Sequence, residues 1–345
     1  MSSSTDSKNL SVSQVTELCQ NALTHVHARP EAVNAVTEAM LWCELHGISS
    51  HGLNMLPTYL ERAREGGINV QARPQIVHQH GCLIRMDGGG TFGQYIASAA
   101  VEAALAAAKS HGAGLVSVFN ANHAGALACF TQLIAQAGMV GFMAHNANPA
   151  VAPYGGREAA LGTNPLSFAF PGTDFPVLVD LATSATAKGK LYELARGGDQ
   201  IPAGLALNIN GEPTTSVAEA IKGILLPLGG PKGYALAVAV EMLTGVLGGD
   251  VLGPDIPSFH KSPNRPQGIS MLVMAIDIDG LIPLDEFKTR VEEFQRKLTS
   301  NLPASGFSKV QIPGEREAQL AMTRQQEGIA VKQSILDDIA IQNNH

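Results

Sequence analysis

Strand-like and helix-like segments alternate between residues 82 and 146, and this alternation restricts the chain to few folds. Apolar runs typical of buried strands cover residues 82–87, 114–120 and 140–146. Between them, helical patterns cover residues 94–109 and 127–137. Strands that alternate with helices usually run parallel, because each helix carries the chain back along the sheet. The pattern therefore predicts an α/β fold.

Helical patterns flank this region on both sides. Residues 11–28, 30–46 and 53–64 place apolar side chains at helical spacing near the N-terminus. Residues 284–302 read as an amphipathic helix near the C-terminus, followed by two further helical pieces. Glycine or proline separates several of these segments, as expected of helix ends. We therefore expect helices at both ends of the chain.

Three other segments have patterns of their own. Residues 234–247 are apolar almost all round, which predicts a buried helix. Residues 269–278 read as a buried strand. Residues 1–10 are polar and lack the basic and apolar parts of a signal peptide. We expect them to form a disordered lead.

Charge and cysteine content exclude several classes of protein. The 345 residues carry 23 Lys and Arg against 30 Asp and Glu, a net charge of −7, without a block of basic residues. Nucleic-acid binding needs clustered cations, so we expect no such partner. No uninterrupted apolar run approaches the roughly 20 residues of a membrane span, so we expect no membrane partner. The four cysteines lie far apart without a CxxC pair, which predicts free thiols in the cytosol.

Two His-x-His pairs are candidates for a metal site. They are His25 with His27 and His78 with His80. On a strand, such a pair points both rings to one face and could bind a metal, but neither pair has an evident third or fourth ligand nearby. We interpret these residues as solvated histidines and predict no metal site.

A glycine pattern follows the first predicted strand. Gly88, Gly90 and Gly93 match GxGxxG between a strand and a helix, the setting of a Rossmann dinucleotide site. That site also needs an acidic residue about 20 positions further on. The chain has no acidic residue between Glu102 and Glu158. We therefore interpret the pattern as a tight turn that leads into a helix.

Two loop histidines are candidates for proton transfer. Ser50 and His51 lie in a glycine-bounded loop between two predicted helices, where a hydroxyl can fix the tautomer of a neighbouring imidazole. Asn122 and His123 follow the strand at 114–120, and ligands of open α/β sheets bind beyond the carboxyl ends of strands. Each histidine taken alone is equally compatible with an inert surface position.

Three loops combine glycine, serine or threonine with a nearby lysine or asparagine. They cover residues 162–165, 180–190 and 229–233. Backbone N–H groups in such loops can bind phosphate, and Lys232 precedes a predicted helix. None of them has the spacing of a Walker P-loop, and ordinary turns have the same composition.

The motifs occur in an order that points to one family. They are SSHG (49–52), NHAG (122–125), PYGG (153–156), GTNP (162–165), DLATSATAKGK (180–190), GEPTT (211–215), GGPKGYAL (229–236) and PGERE (313–317). Together they span almost the whole chain. On these residues, the sequence resembles the type-2 malate/L-lactate dehydrogenase family. This family also contains ureidoglycolate, sulfolactate and diketogulonate dehydrogenases and the reductases of piperideine- and pyrroline-2-carboxylate.

The resemblance implies a fold and a division into domains. The implied fold is α/β and non-Rossmann, with a mixed sheet and flanking helices that bind NAD(P). Residues 11–115 and 280–345 would form a helical domain for substrate binding and dimerisation, and residues 116–279 the NAD(P)-binding domain. The resemblance also implies a homodimer.

The resemblance implies roles for individual residues as well. His51 would be the proton donor, Ser50 its relay partner and His123 a catalytic acid or base. Lys190 would polarise the substrate oxygen, and Thr163 and Met55 would contact the substrate. NAD or NADP would be held by His123, Ala124, Gly125, Ala126, Leu127, Asp180, Leu181, Ala182, Pro231, Lys232, Gly314, Glu315 and Arg316.

Two positions distinguish branches of this family. Lys190 stands where the imine reductases carry an aspartate and agrees with the hydroxy-acid dehydrogenases. Met55 stands where many members place an arginine that binds the substrate carboxylate, and a thioether cannot form that contact. We expect Arg62, Arg64 or Lys190 to bind the anion instead, or the substrate to carry a larger, less acidic group.

We therefore predict a cytosolic NAD(P)-dependent enzyme that interconverts a 2-oxo acid and its 2-hydroxy acid. The first alternative is an NADPH-dependent imine reductase of the piperideine- or pyrroline-2-carboxylate type. The second is a non-catalytic dinucleotide-binding homologue. The sequence leaves open the choice between NADH and NADPH and the side chain and stereochemistry of the substrate.

Overall fold

The computed structural model describes residues 7–195, 198 and 200–343. The N-terminal half contains, in chain order, β1 (Ser7–Leu10), α1 (Val12–His25), α2 (Pro30–Leu45), α3 (Leu56–Glu65), β2 (Gln75–His80), β3 (Leu83–Asp87), α4 (Gly93–His111), β4 (Ala113–Ala121), α5 (Ala128–Gln136), β5 (Met139–His145) and β6 (Leu166–Phe170). Short 3-10 turns at Ser49–His51 and Leu53–Met55 connect α2 to α3.

The C-terminal half continues with shorter elements. These are β7 (Val177–Leu181), α6 (Lys188–Leu194), β8 (Ala206–Leu207), β9 (Pro213–Thr214), α7 (Val217–Lys222), β10 (Ile224–Leu225), α8 (Pro231–Glu241), β11 (Ile269–Asp277), α9 (Leu284–Thr299), α10 (Glu315–Glu327), β12 (Ile329–Lys332) and α11 (Gln333–Asn343). A π-helical turn at Met242–Val246 follows α8. None of the described helices is both long and apolar enough to cross a membrane.

A seven-stranded mixed sheet forms the centre of the molecule, in the order β2-β3-β4-β11-β5-β6-β7. Only β3 and β4 pair in parallel, and the other neighbours are antiparallel. The predicted α/β fold with a mixed sheet and flanking helices is confirmed. The sheet begins at Gln75, so the predicted boundary before residue 116 falls inside β4.

Helix α4 packs on this sheet through small side chains. Ala97, Ala100, Ala104 and Ala108 are fully buried. A Cβ atom on Gly114 of β4 would lie 2.1 Å from the carbonyl oxygen of Ala104. The alanine-rich pattern therefore lets helix and strand approach closely, at a distance that larger side chains would prevent.

The two ends of the chain meet in a second, helical core. Strand β1 pairs antiparallel with β12, with Ser7 opposite Lys332 and Leu10 opposite Ile329. The predicted disordered lead at 1–10 is therefore wrong for Ser7–Leu10, because a partner strand from the far end of the chain orders them. Residues 1–6 lie outside the described residues.

The prediction of a buried helix at 234–247 is also wrong. Only one side of α8 and the following turn is covered by the rest of the chain, where Ala237, Val240 and Thr244 are buried. The opposite side leaves Leu236, Met242, Leu243, Val246 and Leu247 between 40% and 56% exposed. We call this set the α8 apolar face.

The strand ends that carry the predicted motifs lie side by side at one edge of the central sheet. Strands β4 and β5 run in the same direction, because β11 lies between them and is antiparallel to both. The carboxyl ends of β3, β4, β5 and β7 and the starts of β6 and β11 therefore share this edge. Ligands of open α/β sheets bind at such edges.

Candidate active site

His123 follows β4 at this sheet edge and is held on several sides. Its Nδ1 lies 2.7 Å from the hydroxyl oxygen of Tyr59. Its backbone N–H donates to Oε1 of Gln267 at 3.0 Å, and its ring centroid lies 5.0 Å from that of Phe259. A Cβ on Gly93 would lie 2.3 Å from the His123 carbonyl oxygen. The position of this ring is thus set by α3, α4 and the segment before β11.

His51 ends the short 3-10 turn between α2 and α3. Its Nδ1 lies 3.0 Å from Oγ of Ser50, and its ring centroid lies 5.7 Å from that of His123. The residue is partly exposed. The structure therefore brings the two predicted histidines together, with the more accessible one backed by a serine.

Glu44 ties the His51 loop to α2. One carboxylate oxygen accepts from Oγ of Ser49 at 2.9 Å, and the other accepts from the backbone N–H of Leu53 at 2.8 Å. A Cβ on Gly52 would lie 2.3 Å from this carboxylate. Position 52 of the SSHG motif therefore needs glycine, because a larger residue would collide with the Glu44 carboxylate.

A third histidine, His145, ends β5 and lies against His123. The ring centroids are 6.2 Å apart and the rings are nearly perpendicular. His145 is 2% exposed, and its Nδ1 lies 2.6 Å from the carbonyl oxygen of Asn146. Our sequence analysis missed this residue. The signal was present, because His145 stands at the carboxyl end of a predicted strand, as Asn122 and His123 do.

All three rings have lowered pKa values. Burial lowers the pKa of His51, and it lowers the pKa of His145 to about 4. The pKa of His123 lies well below its usual range, first because of burial and then because of neighbouring positive groups, which include Arg62 and His260. No carboxylate contributes to any of these shifts among the described residues. The histidines are therefore neutral near pH 7.

Arg62 has a structural role that excludes it from substrate binding. The residue is fully buried, and its guanidinium donates to the carbonyl oxygens of Phe259, Ser262 and Arg265 at 2.9, 2.8 and 2.6 Å. It holds the segment that packs Phe259 against His123. The expectation that Arg62 replaces the missing arginine at Met55 is therefore wrong.

Arg64, Met55 and Lys190 are the other positions that were expected to bind or contact the substrate. Arg64 donates to the side chain and carbonyl oxygen of Gln342 in α11. Met55 precedes α3, is partly buried and packs against the helical core. Lys190 is exposed in α6.

The predicted cofactor loop at 123–127 lies against the end of β7. Oδ2 of Asp180 accepts the backbone N–H of Ala128 at 2.8 Å, and the Leu127 N–H also points to this carboxylate. Gly125 adopts a φ of +86° and faces the backbone of His51. The predicted residues Ala124, Ala126, Leu181 and Ala182 belong to these same two segments.

Thr163 lies at the same sheet edge, just before β6. Its carbonyl oxygen accepts both the backbone N–H and the hydroxyl of Thr183, each at 2.9 Å. The next residue, Asn164, is fully buried and donates to a carboxylate oxygen of Glu241 at 2.9 Å. The GTNP motif is therefore fixed to the loop after β7 and to α8.

The remaining predicted cofactor residues begin two helices. Pro231 and Lys232 start α8, whose N-terminus has no side-chain cap. Gly314, Glu315 and Arg316 start α10, and the preceding Pro313 carbonyl oxygen accepts the backbone N–H of Leu178 in β7 at 3.2 Å. The Glu315 carboxylate is engaged by Lys309 and by the Ile312 N–H.

Other residues of the site were also missed. Tyr59 has a weak signal, since it lies on the predicted helix that follows the SSHG motif. Phe259 and Gln267 lie in an irregular segment without a recognisable pattern, so only the structure reveals them. In the described part of the chain, no group of three or more His, Cys, Asp or Glu is arranged to hold a metal ion.

Comparison with known proteins agrees with this geometry. The family model described as malate/L-lactate dehydrogenase matches residues 10–340. The chain is 35% identical to L-sulfolactate dehydrogenase of Methanothermobacter thermautotrophicus, over 96% of this chain and 95% of that protein. Its structure matches sulfolactate dehydrogenase of Methanocaldococcus jannaschii with a TM-score of 0.92 and 33% identity, over 98% of this chain and 97% of that one.

An imine reductase is also among the structural relatives. The Δ1-piperideine-2-carboxylate reductase of Pseudomonas syringae pv. tomato matches with a TM-score of 0.87 and 28% identity, over 97% of this chain and 99% of that one. The match of the family model over nearly the whole chain decides the assignment. The chain belongs to the malate/L-lactate dehydrogenase family.

Proposed function

We propose that the protein is an NAD(P)-dependent dehydrogenase that interconverts a 2-hydroxy acid and the corresponding 2-oxo acid. The observation that carries this proposal is the pair of neutral imidazoles, His51 and His123, with ring centroids 5.7 Å apart beside the predicted cofactor loop. Oxidation of a hydroxyl group requires a base that takes its proton while the hydride leaves. A neutral histidine is suited to that task.

His51 is the proton acceptor in oxidation and the donor in reduction. It is the more accessible of the two rings, and Ser50 contacts its Nδ1, which leaves Nε2 free to exchange the substrate proton. Burial lowers the pKa of His51, so the base form is available near neutral pH. Such a general base typically contributes about 10² to 10⁴ in rate.

His123 binds and orients the substrate oxygen. We propose that the Tyr59 hydroxyl donates to Nδ1 of His123, 2.7 Å away. Burial raises the pKa of Tyr59, which keeps the phenol protonated. Nε2 of His123 then carries a hydrogen and can donate to the developing alkoxide or the carbonyl oxygen.

The residues present fit a nicotinamide dinucleotide. The start of α8 offers the backbone N–H and the side chain of Lys232, for which the structure gives no partner among the described residues, and open space above Gly229, as a diphosphate requires. A bound nicotinamide cofactor supplies the hydride acceptor or donor. We propose NAD or NADP, held by the predicted residues at 123–127, 180–182, 231–232 and 314–316.

Lys190 and Thr163 are the substrate contacts that we propose. Thr163 lies at the sheet edge where the motifs meet, and its carbonyl oxygen is held by Thr183. Lys190 is exposed in α6. No ion pair in the described part of the chain involves Lys190. We propose that it binds the substrate carboxylate in place of an arginine at Met55.

The hydroxy-acid dehydrogenase is favoured over the imine reductase. The family model and the sulfolactate dehydrogenases described above support it, and Lys190 stands where the imine reductases carry an aspartate. A test is a panel of 2-oxo acids with NADH and with NADPH, each without and with methylamine. We expect oxidation of the cofactor without the amine. Turnover only with the amine would contradict the dehydrogenase, and cofactor binding without any turnover would indicate a non-catalytic homologue.

We also propose a homodimer in the cytosol. The α8 apolar face is exposed in a single chain, and exposed faces of this kind usually mark interfaces. The four cysteines are free, in keeping with a reducing compartment. We expect Leu243→Asp to convert a dimer into a monomer in analytical ultracentrifugation, and Leu281→Asp, at another exposed leucine, to leave the mass unchanged.

A further inference from the structure

His145 carries a hydrogen-bonding atom that the proposed mechanism does not use. The partner of its Nδ1, at 2.6 Å, is the carbonyl oxygen of Asn146, which can only accept. Nδ1 therefore carries the ring hydrogen. The neutral ring then presents a lone pair at Nε2.

This lone pair is buried and receives no hydrogen bond. Nε2 of His145 is closed to solvent, and no described group donates to it. Buried side-chain acceptors are satisfied in the large majority of cases. An unsatisfied one therefore needs an explanation, and a bound ligand is the simplest where the atom lies in a candidate active site.

The position of His145 connects it to the two predicted catalytic histidines. It stands at the carboxyl end of β5, at the sheet edge where the motifs meet. Its ring packs edge-on against His123, and the His123 ring also neighbours that of His51. His51, His123 and His145 therefore form one cluster, and His145 is not an isolated histidine of the core.

A second buried acceptor lies on the opposite side of the same loop. Gln94 is 1% exposed, and no described group donates to its Oε1. Its side chain lies 3.9 Å from the position of a Cβ on Gly125. The surroundings of the 123–125 loop thus contain two acceptors that await donors.

We propose that Nε2 of His145 accepts a hydrogen bond from the neutral carboxamide N–H of the bound nicotinamide. This inference rests on the proposed function, in which the single hydrogen of the substrate 2-hydroxyl group goes to His51. A 2-oxo acid offers no donor, since its carbonyl and carboxylate groups only accept. His145 is therefore a ligand-binding residue of the site.

Three variants test this contact. His145→Phe keeps a ring of similar size and removes the acceptor. His145→Gln returns an acceptor of similar reach. His25→Phe is the matched control, because His25 is an exposed histidine at the end of α1.

The first measurement is cofactor binding by calorimetry, which needs no turnover. It compares NAD with an analogue in which a methyl ketone replaces the carboxamide, so that the carbonyl remains and the N–H donor is lost. If the carboxamide is the donor, the wild type binds NAD more tightly than the analogue, by about tenfold. His145→Phe abolishes this preference, His145→Gln restores part of it, and His25→Phe retains it.

The second measurement compares the two directions of the reaction. The carboxamide belongs to the cofactor, so His145→Phe should leave the ratio of KM for the hydroxy acid to KM for the oxo acid within about twofold of wild type. A rise of about tenfold in KM for the hydroxy acid alone would place the substrate hydroxyl group on His145 and overturn the proposal. The proposal is also wrong if a folded His145→Phe variant keeps the preference for NAD over the analogue within about twofold of wild type.

A third measurement uses the unmodified protein and does not depend on the folding of a variant. Nitrogen NMR of histidine-labelled protein reports Nε2 of His145 as an unprotonated ring nitrogen. We expect its resonance to move upfield when NAD binds. A resonance that stays unchanged with saturating ligand overturns the proposal. Absence of turnover in the wild type would contradict the proposed function alone, since ligand binding is measured separately.

Discussion

His51 and His123 face the same space but are held differently. His51 sits on a short turn between two helices, is partly exposed and has one polar contact, Ser50. His123 follows a central strand and is fixed by Tyr59, Gln267 and Phe259. In the proposed mechanism, the loosely held His51 exchanges a proton with the substrate. The rigidly held His123 orients the substrate oxygen.

This difference shows how one residue type can serve two purposes in one site. The pKa of His51 is lowered by burial alone, whereas the pKa of His123 is lowered further by positive neighbours. A ring that resists protonation is a poor base but a stable hydrogen-bond donor. The surroundings of His51 and His123, and not the residue type, would therefore decide which ring transfers the proton and which orients the substrate.

The largest expected effect comes from removing each histidine in turn. We expect His51→Ala to lower kcat by about 10² to 10⁴ and to abolish the acidic limb of the pH profile for hydroxy-acid oxidation. His123→Ala should lower kcat by a factor in the same range but keep that limb, because the base remains. Steady-state kinetics across pH measures both. Near wild-type turnover in both variants would contradict the mechanism.

The pH dependence of stability follows next in size. In the folded state the three histidines have pKa values below 6.5, so the unfolded chain binds more protons as pH falls below 6.5. As pH falls from 6.5 to the folded pKa of a histidine, that histidine lowers the free energy of unfolding by about 1.4 kcal/mol per pH unit. Above pH 6.5 it does not change the free energy of unfolding with pH. Urea unfolding from pH 7.5 to 4.5 measures the slope.

Variants sharpen this measurement. His123→Leu should flatten the slope more than His51→Leu, since the pKa of His123 is lowered further. If the free energy of unfolding had the same pH slope in both variants, the pKa values of the two rings would not differ in the way we describe.

A smaller effect is expected from the contact that fixes His123. Tyr59→Phe deletes the hydroxyl 2.7 Å from Nδ1 and keeps the buried ring. We expect kcat to fall by about tenfold, the value of one hydrogen bond to an active group, with little change in KM for the cofactor. Single-turnover kinetics checks this. An unchanged kcat would show that packing alone orients His123.

The smallest effect is expected at the serine behind His51. Ser50→Ala removes the contact at 3.0 Å from a partly exposed ring, so kcat should fall only severalfold. Ser49→Ala is the matched neighbour. It removes a hydrogen bond to the buried Glu44 carboxylate and should lower the melting temperature, which Ser50→Ala should leave unchanged. Calorimetry and kinetics on the same samples separate the two serines.

Helices α4 and α8 show how far sequence predicts this fold. Both patterns are rich in apolar residues, and both helices were predicted near their observed bounds. Of these two helices, burial was predicted only for residues 234–247 and was wrong there, whereas α4, predicted only as a helix, is buried where its alanines meet the central sheet. An apolar pattern indicates that a helix face is buried, but it does not show whether the same chain or another chain buries it.

Site residues could be predicted where a short sequence motif lies at the end of a helix or strand. Ser50, His51 and His123 lie in short motifs at element ends, and the structure places them together. Arg62 and Phe259 could not be assigned in this way, because their roles depend on contacts between positions almost 200 residues apart. Long-range packing of this kind leaves no spacing pattern in the sequence.

The pairing of β1 with β12 also has a consequence for biosynthesis. The His51 loop rests on α2, and Arg324 of α10 donates to the carbonyl oxygen of Glu44 at the base of that loop. The partner of the first strand is made only after residue 328. On the ribosome, β1 and the carbonyl oxygen of Glu44 therefore gain these two partners only after the last part of the chain has been made.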